Sequence, residues 1–222
     1  MKRKIKFLFA VCFFFFGVGS VFSQTKDAGL WTSISVDKKI TQALSFGISE
    51  ELRFNENVSE LGTFFTDAGL TYRITDDFRF AVNYRFINKR KLDDSYSKRH
   101  RYYFDVSYRK KTGKLTPVLR VRIQSQYTDV LSSDQGGVPD WYLRPKFSLR
   151  YNLKGAINPY ISSELFYTLD KRVFDNVRYT FGVERNLGDK LKADLFFLHQ
   201  REFNVKKPEY DYIWGFGLTY SL

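Results

Sequence analysis

Side-chain polarity in this chain alternates with a period of two residues, in runs of eleven to fourteen residues, from Leu30 to the carboxyl end. Successive side chains of an extended strand point to opposite faces, so such alternation marks strands with one apolar and one polar side. From Ala43 to Phe54, Leu44, Phe46, Ile48, Leu52 and Phe54 share one face, while Ala43, Ser45, Gly47, Ser49, Glu51 and Arg53 share the other. Phe78, Phe80, Val82, Tyr84 and Phe86 alternate with Arg79, Ala81, Asn83 and Arg85. Leu115 to Gln124 and Trp141 to Tyr151 repeat the pattern, as do segments around Phe64 to Ile74, Tyr102 to Tyr108, Ile161 to Leu169, Val177 to Val183 and Leu191 to Phe197. Strands of soluble proteins are usually only about five or six residues long, whereas a tilted membrane strand needs about nine to eleven. A soluble β-sandwich or lipocalin-like barrel also alternates, but its strands are shorter and its polar face looks at water. The expected fold is therefore all-β, a transmembrane antiparallel β-barrel of 10 to 12 strands.

The connections bear on orientation and count. Tight ones are expected at Asp37 to Lys39, Thr75 to Asp77, Thr112 to Gly113, Lys154 to Ala156 and Gly188 to Asp189. Longer ones are expected at Asn55 to Glu60, Lys91 to Ser97, Leu131 to Pro139, Lys171 to Asp175 and Asn204 to Pro208. Bacterial barrels have short periplasmic turns and long extracellular loops, and even strand numbers. Eleven segments alternate here, and an even count leaves Leu30 to Val36 as a short extra strand or a segment threaded through the lumen, with ten wall strands; twelve follow if two segments have been merged. Pro145 falls inside a run and removes a ladder hydrogen bond, which predicts a bulge there.

The amino terminus explains how such a chain would leave the cytoplasm. Lys2, Arg3, Lys4 and Lys6 precede an apolar stretch from Phe7 to Val18 and then Val21-Phe22-Ser23, the layout of a secretory signal cleaved before Gln24. Twelve apolar residues fall short of the roughly 20 that a spanning helix needs. Residues 1–23 are read as signal peptide and 24–222 as the barrel domain. Of 222 residues at net +12, the first 23 carry four positive charges, so 199 residues at +8 remain. The one cysteine, Cys12, lies in the signal, which leaves the mature chain no thiol chemistry. Basic residues spread through strands of an exported chain, not clustered on a helix or tail, argue against nucleic acid as a partner.

The last strand, Tyr210 to Leu222, carries Trp214, Phe216, Leu218, Tyr220 and Leu222 at every second position. It resembles the carboxyl-terminal signal by which outer-membrane barrels are recognised for assembly, with Leu in place of the frequent terminal Phe. Glu50-Glu-Leu-Arg-Phe54, Phe64-Phe-Thr-Asp67, Tyr84-Arg-Phe86 and Arg99-His-Arg-Tyr102 resemble the outer-membrane family catalogued as domain of unknown function 2490, found mainly in the Bacteroidota. That resemblance covers nearly the whole mature chain and implies a barrel in a Gram-negative outer membrane, without an assigned reaction. The partners it implies are outer-membrane lipid and the barrel-assembly machinery.

Strand phase gathers on the inner face Arg53, Arg73, Arg79, Arg85, Arg101, Arg109, Arg120, Arg122, Arg144, Arg150 and Arg178, with Glu51, Asp67, Asp105, Glu164, Glu184, Asp194 and Asp211. Two readings fit: a network of ion pairs filling a narrow barrel, since buried charges need partners, or a lumen that favours small anionic solutes, since rings of Arg or Lys do so in pores. The competing class is a lipid-modifying hydrolase, of phospholipase or lipid A deacylase type. Such enzymes place His and Ser two residues apart on the lipid side, but His100 is followed two places on by Tyr102 and His199 by Arg201. Two separated histidines offer no metal spacing, and no sequence motif calls for a cofactor. Asp134-Gln-Gly-Gly137 reads as a flexible turn. The tyrosines, with Trp31, Trp141 and Trp214, are expected to form aromatic girdles at two membrane interfaces in preference to sugar-stacking platforms.

Overall fold

The computed structural model describes residues 26–128, 140–153 and 157–222. The expected signal peptide, the turn at Lys154 to Ala156 and the Asp134–Gly137 segment lie outside them. Eleven strands follow one another: β1 (Lys26–Lys39), β2 (Leu44–Asn55), β3 (Glu60–Arg73), β4 (Phe78–Arg90), β5 (Tyr96–Arg109), β6 (Leu115–Thr128), β7 (Asp140–Tyr151), β8 (Asn158–Thr168), β9 (Val173–Asn186), β10 (Leu191–Glu202) and β11 (Tyr210–Ser221). Each pairs with the next, β1 pairs with β11, and the barrel is closed. A closed sheet gives every strand two neighbours and leaves no open edge.

The even count assumed from sequence is overturned, and the antiparallel pattern with it at one place. Residues 30–36 are neither a short extra strand nor a lumenal thread; they belong to β1, a fourteen-residue wall strand. Strands joined by hairpins alternate in direction, so an odd number leaves the first and last pointing the same way. The β1–β11 seam is accordingly parallel, from Lys26 opposite Tyr210 to Asp37 opposite Ser221, while the other ten ladders are antiparallel.

Register fixes the tilt. From Asp27 the partners run through Asp211, Gln200, Arg178, Glu164, Lys146, Arg120, Ser107 and Arg79 to Arg73, whose amide bonds the carbonyl of Ala43. The circuit re-enters β1 about fourteen residues along, a stagger that tilts strands of a closed sheet by roughly 40°. That single line of partners, eight of them charged, lies on the inner face.

Two further expectations need correction. Pairing of β7 with β8 lapses at Arg144 and Pro145, where the ring supplies no N–H, but Tyr142 opposite Thr168 and Lys146 opposite Glu164 keep one register, so no bulge forms. Bulges lie instead at Arg53/Phe54 and Phe166/Tyr167. The loop asymmetry is weak: connections have four to six residues at the end holding the carboxyl terminus and four to eleven at the other, because the strands continue into segments read as loops.

Polarity is inverted relative to a water-soluble fold. Phe46, Ile48, Leu70, Val82, Phe104, Leu119, Phe147, Ile161, Leu195 and Phe216 all stand exposed on the outside, and Ile34, Phe181 and Trp214 reach 65%, 55% and 59% exposure. Inside, Asp67, Arg122, Arg144 and Glu164 are buried, at 8% exposure or less.

Candidate functional site

Placing long charged side chains on every second position of a tilted, closed ladder fills the interior with them. The expected inner-face groups meet as follows. Arg53 Nε lies 2.6 Å from Glu51, Arg85 Nε 2.6 Å from Asp67, and Arg122 forks onto both oxygens of Asp105 at 2.7 Å. Arg150 pairs with Glu184 at 2.9 Å, and Asp194 accepts from the Tyr160 hydroxyl at 3.0 Å. Glu164, 3% exposed, is shared by Arg120 at 2.5 Å, Arg144 at 3.0 Å and Arg178 at 3.9 Å. Asp211 accepts from the Gln200 amide at 3.1 Å. Arg79 and Arg109 face cavities at the turn end, and Arg73 sits at the rim there, bonding the Gln42 carbonyl at 2.5 Å. So ion pairs and hydrogen bonds join most members of the set, while among the described residues Arg101 meets only the Gln126 amide oxygen and Arg73, Arg79 and Arg109 stand apart.

Sequence phase was read for charge and missed the aromatic half of the interior. Arg53 stacks 3.6 Å over Trp31 and 4.9 Å from Phe65; Arg85 lies 3.9 Å over Phe65 and 5.8 Å from Tyr103; Arg122 lies 3.8 Å over Tyr103. Across the barrel Arg144 lies 4.2 Å over Phe166, and Arg178 is 5.0 Å from Phe166 and 5.2 Å from Trp31. The chain of guanidinium and ring thus runs round the lumen, with Arg122 opposite Arg144 as its one cation-to-cation step. Such a contact contributes roughly 0.5–1 kcal/mol where exposed and about 2 kcal/mol when desolvated. Trp31 therefore belongs to this interior belt, not to an outer girdle, and Tyr103 and Tyr160 also turn inward. Trp141 and Trp214 do face outward. Gly182 and Gly215 lack side chains where the rings of Tyr160 and Phe196 cross, and a Cβ at either would overlap the ring. The signal that could have found Trp31 is its position opposite Arg53, which no single strand reveals.

The belt divides the space. Towards the loop end lie a cavity of 960 Å³ reaching Trp31 and Arg53, and one of 680 Å³ lined by Arg101, Arg122, Arg144, Lys146 and Arg178 among others. Towards the turn end a 770 Å³ cavity is lined by small polar groups, including Ser35, Ser45, Ser49, Thr71 and Asn83, and by charged residues of both signs, such as Asp37, Asp67 and Arg79. The cavities at the two ends share no lining residue.

Both histidines are on the outer face. His100 Nδ1 lies 2.7 Å from the Tyr84 hydroxyl, and His199 Nδ1 is 3.3 Å from the Asp211 carbonyl and stacks on Tyr212. Among the described residues neither imidazole has a serine hydroxyl as its hydrogen-bond partner.

A family model described as Protein of unknown function (DUF2490) matches residues 28–211, from β1 into β11. No curated protein matches the chain.

Proposed function

The chain belongs to this family of proteins of unknown function, and from that premise we propose that it is an outer-membrane β-barrel serving as a narrow conduit, closed at rest, for small anionic solutes. The observation that carries the reading is the inverted polarity: large apolar side chains project from all eleven strands, while ionised groups are buried inside. Exposed apolar patches on a soluble monomer seldom exceed a few hundred Å², whereas lipid requires such a surface and a closed ladder behind it. Outward aromatics stand at each end, with Phe46, Tyr72, Phe78, Tyr108 and Tyr220 at the turn end and Tyr96, Trp141, Phe174 and Tyr212 at the loop end, positions suited to interfacial girdles, while Tyr84, Tyr102 and Tyr179 stand at mid-wall. Glu50 interrupts this surface; its carboxylate accepts from the Thr66 hydroxyl at 2.5 Å, which lessens the cost of its placement. In this reading residues 1–23 export the chain, the outward row Trp214, Phe216, Leu218 and Tyr220 with the terminal Leu222 is read by the assembly machinery, and lipid surrounds the wall.

Excess Arg and Lys inside favour anions, and the belt through Trp31, Arg53 and Phe65 keeps conductance small. The test is reconstitution into planar bilayers under a salt gradient, after checking that the folded protein migrates differently before and after heating. Small currents whose reversal potential has the sign of anion preference support the proposal. A protein that stays in water without detergent, or one that prefers cations, contradicts it.

A further inference from the structure

We propose that the 680 Å³ chamber on the loop side of the belt is a binding site for a free solute bearing three or four oxyanion charges, of the oligophosphate class. This rests on the reading of the interior as anion-preferring and deepens it, from a bias in passage to a built site.

The first argument is charge. Ten cationic side chains line this chamber against three carboxylates. Glu51, Asp67 and Asp105, just outside the lining, compensate Arg53, Arg85 and Arg122. Lys89, Arg101, Lys146 and Lys171 are left without a carboxylate partner among the described residues, and Arg120, Arg144 and Arg178 have only Glu164 to share. Uncompensated buried charge is costly, and an internal network built only for stability would supply acids to match.

The second argument is how the guanidiniums with no carboxylate, or with only the shared one, are held. Arg101 donates through both Nε and Nη2 to Gln126 Oε1, the Nε bond being 3.1 Å. Arg178 forks onto Gln200 Oε1 at 3.1 and 2.6 Å, and Arg144 donates to Gln124 Oε1 at 2.8 Å. An amide oxygen accepts the hydrogen bond and fixes the orientation, yet it cancels no charge. Glutamine here does for position what glutamate would do, and leaves the field intact for an incoming anion. Preorganised donors in a partly desolvated site are the arrangement that binds oxyanions strongly. A third sign is an orphan donor: Arg120 Nε is buried with no hydrogen-bond partner, on the lining of the same chamber.

Four surplus charges select a multiply charged solute over chloride or acetate. The chamber lies inside the wall and faces the loop end, so acyl chains have no place in it, and the ligand is a free solute instead of a lipid headgroup.

The test uses the refolded full-length barrel in nonionic detergent at physiological salt, with orthophosphate, pyrophosphate and tripolyphosphate as probes, read by calorimetry and by the thermal midpoint. Affinity is expected to climb with charge along that series. The decisive variant is Gln124→Glu with Gln126→Glu, which keeps shape and hydrogen bonds but neutralises Arg144 and Arg101 in place. It is expected to fold at least as stably as the parent and to bind tripolyphosphate roughly a hundredfold more weakly, about tenfold for each neutralised guanidinium. Where the variant fails to show the heat-dependent gel shift, Arg101→Gln supplies the same measurement with an expected tenfold loss. Equal affinity in parent and variant, or no rise from orthophosphate to tripolyphosphate, overturns the site. If either occurs while the parent stays anion-selective in bilayers, the site alone falls and the conduit reading stands.

Discussion

Among the described residues Glu164 is the one carboxylate that three guanidiniums share, so its removal is the sharpest probe of how the interior is held together. In Glu164→Gln the shape is kept and one negative charge is lost, leaving Arg120, Arg144 and Arg178 facing one another. Deleting one partner of a buried ion pair costs about 3–5 kcal/mol. Arg144 is buried at 7% side-chain exposure, while Arg120 and Arg178, at 22% and 16%, keep some access to water. The expected loss is therefore near the lower bound, about 3 kcal/mol, allowing for that screening. Equilibrium urea unfolding in lipid vesicles, followed by tryptophan fluorescence, measures it. The reasoning also requires coupling: adding Arg144→Gln to Glu164→Gln is expected to cost less than the two single changes taken together, by at least about 1 kcal/mol. A Glu164→Gln variant within about 0.5 kcal/mol of the parent, or strict additivity in the pair, would refute the picture of a network centred on this carboxylate.

Three other substitutions probe the wall and the belt. Phe181→Arg, on the outer face, is expected to cost about 2–4 kcal/mol in vesicles, whereas Ser148→Lys on the inner face of β7 costs under about half of that; urea midpoints compare them. Glu50→Leu removes the outward carboxylate and is expected to stabilise the vesicle-inserted barrel by about 1 kcal/mol, read by the same titration. Arg53→Ala takes away the side chain stacked on Trp31 between the 960 Å³ and 770 Å³ cavities, and single-channel conductance is expected to rise several-fold; unchanged conductance would show that another layer limits passage.

What the chain discloses about itself depends on how local the determining interaction is. The period-two pattern of Ala43 to Phe54 or Phe78 to Phe86 is written in neighbouring residues, and those strands were legible, as was the turn at Thr75 to Asp77; the turn expected at Asp37 to Lys39 lies instead inside β1, which pairs with β2 as far as Lys39 before the chain reverses over residues 40–43. Lys26 to Lys39 was not, beyond its middle, because Ala28, Gly29, Thr32, Ser33 and Ser35 contrast little in hydropathy across the two faces. Its parallel partner β11 lies at the far end of the chain, and no local signal announces a pairing of that separation. Trp31 illustrates the same limit for the site: its phase sets it inward, but its role comes from Arg53 on β2 and Arg178 on β9, brought together only by closure. The glutamines were overlooked because the interior was read by formal charge, and Gln124, Gln126 and Gln200 matter for having none.

Accessibility along β1 tests the central claim most directly, since Ser33, Ile34, Ser35 and Val36 alternate between the two faces beside the parallel seam. Single cysteines at these four positions of the chain from Gln24 onward, which holds no other cysteine, are labelled with a fluorophore after reconstitution and exposed to lipid-borne and to aqueous quenchers. Labels at 34 and 36 are expected to be quenched from the lipid and those at 33 and 35 from water. Equal quenching at all four positions, or lipid contact at 33 and 35 in place of 34 and 36, would contradict a wall with hydrocarbon outside and a charged enclosure within.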